Sequence, residues 1–412
     1  MRLRKNPLFE EQPNPVIEVE EKPRKGRVIL LAVCLCVAAV ALGIWIHNFV
    51  TVDPGWYTIT PETTEANCGV GFAFSYNVGA GGANAKEEKK ALTQVYTEAC
   101  VEAYNLFTWD VETPVEGGIR YLSNRPNQIV TVDGALYEAL QLAKDSRLLY
   151  MGPVTAEYSR IFQYEEEYLA SQYDPAQNPD VMAYITELMA FVGSEDHIRL
   201  ELLGSNQVIL HISEEYLAFA RENGVEAFLD FGWMTNAFVA DYLAQALTEK
   251  GYTQGYLVSF DGFGHYLGGT YTLSLPDRVE NEIYRPARFN LTGPVCAVNF
   301  RNYPLGDGDD WRYYAFSNGM IASVYVDPTD GVCKSATDNL ACYSKSASCA
   351  QIVLACAPLF LTEELDESAL VSLGAEGVYT LWAEGKELRY TDSTLTLTIA
   401  EGNGYTQKRV TE

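Results

Sequence analysis

The sequence predicts an α+β ectodomain behind a single membrane-spanning helix. Three observations predict it: an uncharged apolar run near the N-terminus with basic residues on one side only, an alternation of strand-like and helix-like segments after it, and a block of consecutive strands late in the chain. That order argues for α+β and against a doubly wound parallel sheet. The 412 residues suit one large domain or two moderate ones, and 48% apolar residues provide for a sizeable core.

Residues 1–27 are charged and carry Pro13, Pro15 and Pro23, which predicts a disordered tail. Val28–Ile46 then runs for 19 residues without a charge. At about 1.5 Å per residue this nearly spans a hydrocarbon core of ~30 Å, and extension to Val50 completes it. Arg2, Arg4, Lys5, Lys22, Arg24, Lys25 and Arg27 precede the run, and no Lys or Arg stands in the segment just after it. The positive-inside rule therefore puts the N-terminus in the cytoplasm and the main domain outside, with the lipid bilayer as partner of residues 28–50. A cleaved signal peptide is the rival, opposed by the long preceding tail and the missing small-x-small site. Residues 51–67 read as an extended linker, 68–392 as the folded domain and 393–412 as a polar tail.

The tail holds seven of the 29 basic and five of the 55 acidic residues, which leaves 22 and 50 beyond it and a net charge of −28. Such a field disfavours nucleic acid, and it repels free phosphates unless a metal or local basic site compensates. Seven cysteines follow the apolar run, so at least one thiol stays unpaired in a monomer. Cys333 and Cys342 flank a short polar loop and can pair if it folds back. With no Cys-x-x-Cys spacing and four His in the chain, the spacing carries no zinc signature.

Within the domain, residues 71–77 have strand character, and 85–107 predicts a long helix with Leu92, Val95, Tyr96, Ala99, Ala103 and Leu106 on one face. A strand over 128–132 and an amphipathic helix over 134–146 follow. Residues 165–192 are helical but broken by Pro175 and Pro179. A strand over 208–212 leads into a helix over 213–223, capped by Ser213 and stopped by Gly224. A helix over 234–250 stops at Gly251, and a buried strand covers 256–260. Further strands fall around 269–275, 294–300, 311–317 and 322–326. The last buried helix covers 346–359, and 377–383 with 387–390 closes a hairpin.

The most specific stretch reads Leu229-Asp-Phe-Gly-Trp-Met-Thr-Asn-Ala-Phe-Val-Ala-Asp241, followed by Tyr256-Leu-Val-Ser-Phe-Asp-Gly262. A loop with Asp230 and Gly232 leads into the N-terminus of the helix over 234–250, which carries Thr235 and whose exposed amides can bind an anion. A strand ending at Asp261-Gly262 would lie beside it. The bland alternative is a strand–turn–helix–strand unit with no ligand.

Here the chain resembles the bacterial FAD:protein FMN transferases, which attach FMN through a phosphoester to Thr or Ser of partner proteins. Their helix motif runs roughly Leu-Asp-Leu-Gly-Gly-x-Ala-Lys-Gly-Tyr-x-x-Asp, and Leu229, Asp230, Gly232 and Asp241 match it. Ile119-Arg-Tyr-Leu-Ser-Asn124 sits at the family's Ser-Glu-x-Ser-x-x-Asn segment, and Val130–Leu140 is similar to its strand-then-helix. Phe300-Arg-Asn-Tyr303 resembles an Asp-Tyr-x-Asn-Tyr strand. Val326-Asp-Pro-Thr-Asp-Gly331 resembles an Ile-Asp-Pro-x-Thr-Gly turn, where Asp327 stands as a remnant cation or ribose contact or as a turn residue. The resemblance covers roughly residues 70–390 and rests on the order of the motifs, none of which is intact. It implies a flavin-transferase-like, two-lobed α+β ectodomain with FAD between the lobes, and contacts to FAD from Asp230, Gly232, Thr235, Asp241, Asp261, Gly262 and Asp327.

The departures concern the chemistry. The family holds a divalent cation with an Asp and a Thr four residues apart on the last helix, a spacing that turns both side chains to one face. Ala350 and Leu354 stand there in this chain, Asn236 replaces the motif Lys, and Trp233 replaces its second Gly. A hard cation needs oxygen ligands. The resemblance thus implies no catalytic or metal residue here, and Mg²⁺ only if Asp230, Asp241, Asp261 or Asp327 rearranges to hold it. Three functions follow as expectations: a membrane-anchored flavin-transferase-like pseudoenzyme or altered flavin binder, an active FMN transferase with a rearranged metal site, or a scaffold ectodomain. In the first two a flavinylated or redox membrane protein is the expected partner.

Overall fold

The computed structural model describes residues 52–63, 71–279, 282–306, 309 and 311–411. The predicted tail and membrane-spanning run, with Cys34, Cys36 and Cys68, lie outside these residues. Among the described residues no helix is long and apolar enough to cross a membrane.

In chain order the strands are β1 (Gly55–Ile59), β2 (Phe72–Val78), β3 (Ile129–Thr131), β4 (Ile198–Gly204), β5 (Gln207–Ile212), β6 (Gly255–Ser259), β7 (Phe263–Tyr266), β8 (Thr270–Val279), β9 (Glu282–Thr292), β10 (Val295–Arg301), β11 (Tyr313–Ala315), β12 (Ile321–Ser323), β13 (Asn339–Ser344), β14 (Val378–Glu384), β15 (Glu387–Tyr390), β16 (Leu397–Ile399) and β17 (Thr406–Arg409). Nine of them build the central sheet in the order β1-β2-β6-β7-β10-β13-β14-β15-β17. Every pairing in it is antiparallel except β15 with β17. Smaller sheets run β3-β5-β4 and β16-β9-β8, and β11 pairs with β12. The α+β expectation therefore holds. Pro54–Glu412 clusters as one compact unit.

Helix Ala85–Phe107 forms where its pattern predicts it. Asn84 caps it by accepting from the amides of Lys86 and Glu87, and its stripe of Leu92, Tyr96, Ala99, Ala103 and Leu106 is buried. It packs on helix Thr235–Glu249, which lies over β6 and β7 and against helix Cys349–Phe360. Helix Glu214–Asn223 starts with Ser213 accepting from the Tyr216 amide and ends at Gly224 in the left-handed conformation. Pro179 opens helix Pro179–Val192 behind the Asn178 cap.

Several expectations need correction. The linker 51–67 contains β1, which pairs with β2 from Gly55 to Ile59 and begins the folded unit at Pro54. The polar tail 393–412 contains β16 and β17. Leu397 and Tyr405 enter the same apolar cluster as Phe289 and Leu388, and that burial outweighs the polarity of the segment. Strand β4 stood outside the sequence reading. It returns into β5 through Ser205 and Asn206, both at positive φ as a two-residue hairpin requires. Cys333 and Cys342 do not pair: the Cys333 sulfur lies 3.1 Å from the Ser323 hydroxyl, and Cys342 is buried in β13.

The β6–β7 hairpin turns at Gly262, with φ +106° and Asn299 donating its amide to the Gly262 carbonyl. A Cβ there would sit 2.5 Å from the Asn299 carbonyl oxygen. Gly262→Ala is therefore expected to destabilise the protein by about 2–4 kcal/mol, read as a lower urea midpoint at unchanged slope. An unchanged midpoint would show that β10 can move aside.

Candidate functional site

The loop 229–234 is fixed from both sides before the helix begins. The Leu229 amide donates to the Ser123 hydroxyl, and the Asp230 amide donates to the Leu149 carbonyl. Gly152 lets this loop approach: a Cβ on it would meet the Ala227 carbonyl at 2.5 Å and Asp230 Cβ at 3.3 Å. Gly232 has φ +55°, and the Thr235 hydroxyl donates back to the Gly232 carbonyl at 2.7 Å. The result is a cavity of about 420 Å³ lined by Asp230, Gly232 and Thr235 together with Asn236, Asp110, Thr155, Ser159 and Val324. Three of the chain's six tryptophans, Trp109, Trp233 and Trp311, also line it.

Its electrostatics are one-sided. Asp110 and Asp230 face the cavity, and no Lys or Arg is among the lining residues. Burial raises the Asp230 carboxyl above the usual carboxylate range, against the amides of Gly232 and Phe231, which favour its ionised form. Behind the cavity the Asn236 amide donates to Asp261 Oδ2 at 2.8 Å, while Asp261 Oδ1 is buried without a partner. Burial also raises Asp261, and Ser259, Arg312 and Asn236 only partly offset it. Arg312 gives Nη1 to the Asp261 carbonyl and Nη2 to Asp309, which Arg301 reaches at 3.3 Å.

The sequence-predicted residues thus divide. Asp230, Gly232 and Thr235 share the cavity, and Asp261 joins it through Asn236. Gly262 serves the hairpin. Asp327 lies in a turn, accepting from the amide and hydroxyl of Thr329 and pairing with Lys334 at 3.1 Å; it is buried, not a solvated turn residue. Asp241 caps helix Cys349–Phe360, its two oxygens each 2.9 Å from the Cys349 and Ala350 amides. His265 lies in β7 beside it, Nε2 3.3 Å from Asp241 Oδ1. Sequence reasoning missed Trp109, Trp311, Thr155 and Ser159, which come from separate segments and carry no shared motif.

Trp233 fills space where the resemblance puts a glycine. Its ring meets Tyr325 edge-on at 5.0 Å and Phe300 at 6.0 Å, and both of these pack on Phe360 at 5.2 Å.

No protein-family model matches the chain, and no curated protein matches it. Solved structures do. The ApbE protein from Thermotoga maritima aligns with a TM-score of 0.53 at 12% identity, over 84% of this chain and 97% of that one. The flavin transferase ApbE from Vibrio cholerae aligns with a TM-score of 0.52 at 13% identity, over 85% and 98%. A mutant of that Vibrio cholerae transferase gives 0.50 at 14%, over 80% and 94%. The chain therefore has the fold of the ApbE flavin transferases, as its motif order implies.

A divalent cation does not fit the place the resemblance assigns to it. Ala350 is buried and apolar, and Leu354 is half-buried and apolar. The nearest oxygen-bearing side chain on that helix, Gln351, spends its Oε1 accepting from the Ser348 amide in a capping box.

The raised Asp261 carboxyl sets a pH dependence. Unfolded Asp titrates near about 3.9. Between that value and its higher folded pKa the native state keeps a proton the unfolded chain has lost, so this group's contribution falls as pH rises through the window. Asp261→Asn should gain in stability on the wild type as pH rises from 4 to 7. Urea denaturation at both pH values checks this, and a pH-independent difference would refute it.

Proposed function

We propose that this protein is a membrane-anchored, extracytoplasmic flavin-transferase-like pseudoenzyme that has lost Mg²⁺-dependent FMN transfer and keeps its cleft for a flavin nucleotide or its analogue. One observation carries the reading. The helix on which the transferases are expected to hold their cation presents Ala350 and Leu354, while the cavity nearby has two carboxylates and no basic residue.

Without a cation, a diphosphate entering this cavity faces Asp110 and Asp230 unscreened, inside a domain of net charge −28 by sequence. Electrostatic stabilisation of a transferring phosphoryl group accounts for several kcal/mol, so its loss lowers the rate by about 10³-fold or more. The three tryptophans still offer faces for a planar ring. The apolar run at 28–46 and the seven basic residues before it support anchoring with the domain outside. A flavinylated or redox membrane protein is the partner this reading names.

FAD titration of the purified chain, followed by flavin fluorescence with and without Mg²⁺, tests the cleft. The expected result is an affinity that Mg²⁺ changes by less than about twofold, and no FMN transferred to a Thr-containing acceptor peptide. Mg²⁺-dependent tightening of about tenfold, corresponding to ~1.4 kcal/mol, would overturn the reading in favour of an active, rearranged site. Anchoring has its own test: deletion of residues 1–50 should move the protein from the membrane to the soluble fraction, and retention on the membrane would refute it.

A further inference from the structure

We propose that Asp241, His265, Cys296 and Cys349 form a buried tetrahedral site for a thiophilic divalent cation of the zinc class, separate from the flavin cavity. The four side chains come from four different segments: helix Thr235–Glu249, β7, β10 and the first residue of helix Cys349–Phe360. His265 and Cys296 face each other directly across the β7–β10 pairing. One ligand atom from each of Asp241, Cys296 and Cys349 lies within 4.8 Å of the others. His265 Nε2 stands outside that triplet but touches two of its members, 3.2 Å from the Cys296 sulfur and 3.3 Å from Asp241 Oδ1.

Those separations have the scale of tetrahedral edges. Zinc–ligand bonds of about 2.0–2.3 Å place neighbouring donors roughly 3.3–3.8 Å apart. The two His265 contacts fall near that scale, and side-chain rotations that draw the four donors together would admit an ion. Two thiols, an imidazole and a carboxylate form a donor set that selects zinc over magnesium or calcium, which prefer all-oxygen shells. On binding, the Cys349 thiol and the hydrogen-bonded His265–Cys296 pair each release one proton to solvent, leaving a neutral imidazole, and two thiolates with one carboxylate then enclose the dication.

The surroundings hold the donors in place. Asp241 is fixed by the two helix amides it caps, and Cys349 Sγ contacts the Gly264 carbonyl at 3.4 Å. Both sulfurs are buried, and the His265 and Asp241 side chains are only 20% and 21% exposed. His265 Nδ1 is buried with no hydrogen-bond partner. The ring is therefore turned by what Nε2 meets, and Nε2 points at the cluster. The site would tie the two packed helices to the middle of the central sheet. A different buried pair, Cys342 in β13 and Cys356 on the same helix, has no His or carboxylate in its group and provides an internal control.

The experiment titrates the full chain, reduced and stripped of metal, with Co²⁺ alone. The expected result is one equivalent bound, with the intense visible bands of tetrahedral cobalt and a thiolate charge-transfer band in the near ultraviolet, both bleached by Zn²⁺. Zn²⁺ alone should raise the melting temperature. Cys296→Ser and His265→Gln should each weaken binding by about 100-fold or more, while Cys342→Ser leaves it unchanged. If Cys296→Ser fails to fold, His265→Gln carries the test. Absence of the charge-transfer band with all thiols reduced, equal loss in Cys342→Ser, or a Cys296–Cys349 disulfide in the isolated protein would each overturn the proposal.

Discussion

The carboxylate of Asp241 is the contact on which the rest of the domain's centre depends. It sits on the helix that follows the cavity loop, and it holds the first two amides of helix Cys349–Phe360. Each of these charge-assisted bonds is worth about 1.5–3 kcal/mol, and the negative charge lies where a helix dipole favours it. Cys349–Phe360 in turn packs on β10 and β13, while Thr235–Glu249 packs on β6 and β7. One side chain thereby joins the two helices that cover the middle of the central sheet. Among the matches to the transferase motif, this Asp has a role that needs no ligand.

That division explains what was legible in the sequence and what was not. Ala85–Phe107 could be read because its cap and apolar stripe are local, and Asp230, Gly232 and Thr235 could be placed together because one loop carries them. Strands β1 and β16 are five and three residues long, too short for alternation to stand out, and they gain their order by pairing, β1 with the next strand and β16 with β9 far earlier in the sequence. The tryptophans of the cavity arrive from positions 109, 233 and 311, and the Asp-His-Cys-Cys cluster from positions 241, 265, 296 and 349. Only the antiparallel pairing of β7 with β10 makes neighbours of His265 and Cys296. No spacing rule for metal ligands applies to such a set, which is why the sequence carried no zinc signature.

The apolar residues at the positions where the resemblance puts cation ligands also have a packing side. Ala350 is buried against the interior, and Trp233, Tyr325, Phe300 and Phe360 form a connected aromatic group beside the cavity loop. An indole in place of a glycine adds a large apolar surface, and its edge-to-face contacts are each worth about 0.5–1.5 kcal/mol beyond the area they bury. Ala350 is therefore part of the core, and Trp233 packs on the aromatic group while lining the cavity. A fold packed in this way can hold its shape without an ion at that place, so likeness of architecture at 12–14% identity says nothing by itself about transfer chemistry.

The same reasoning bears on where a cation would be held now. An ion needs donors that are already desolvated and convergent, or the ordering cost consumes the binding energy. The cavity provides the carboxylates of Asp110 and Asp230 among neutral hydroxyls and amides, with no sulfur or imidazole in its lining. The cluster around Asp241 provides two buried sulfurs, a ring nitrogen and a carboxylate already set by backbone amides. Soft donors in the core and hard donors left unpaired at the cavity favour an ion that stabilises the fold over one that activates a phosphate.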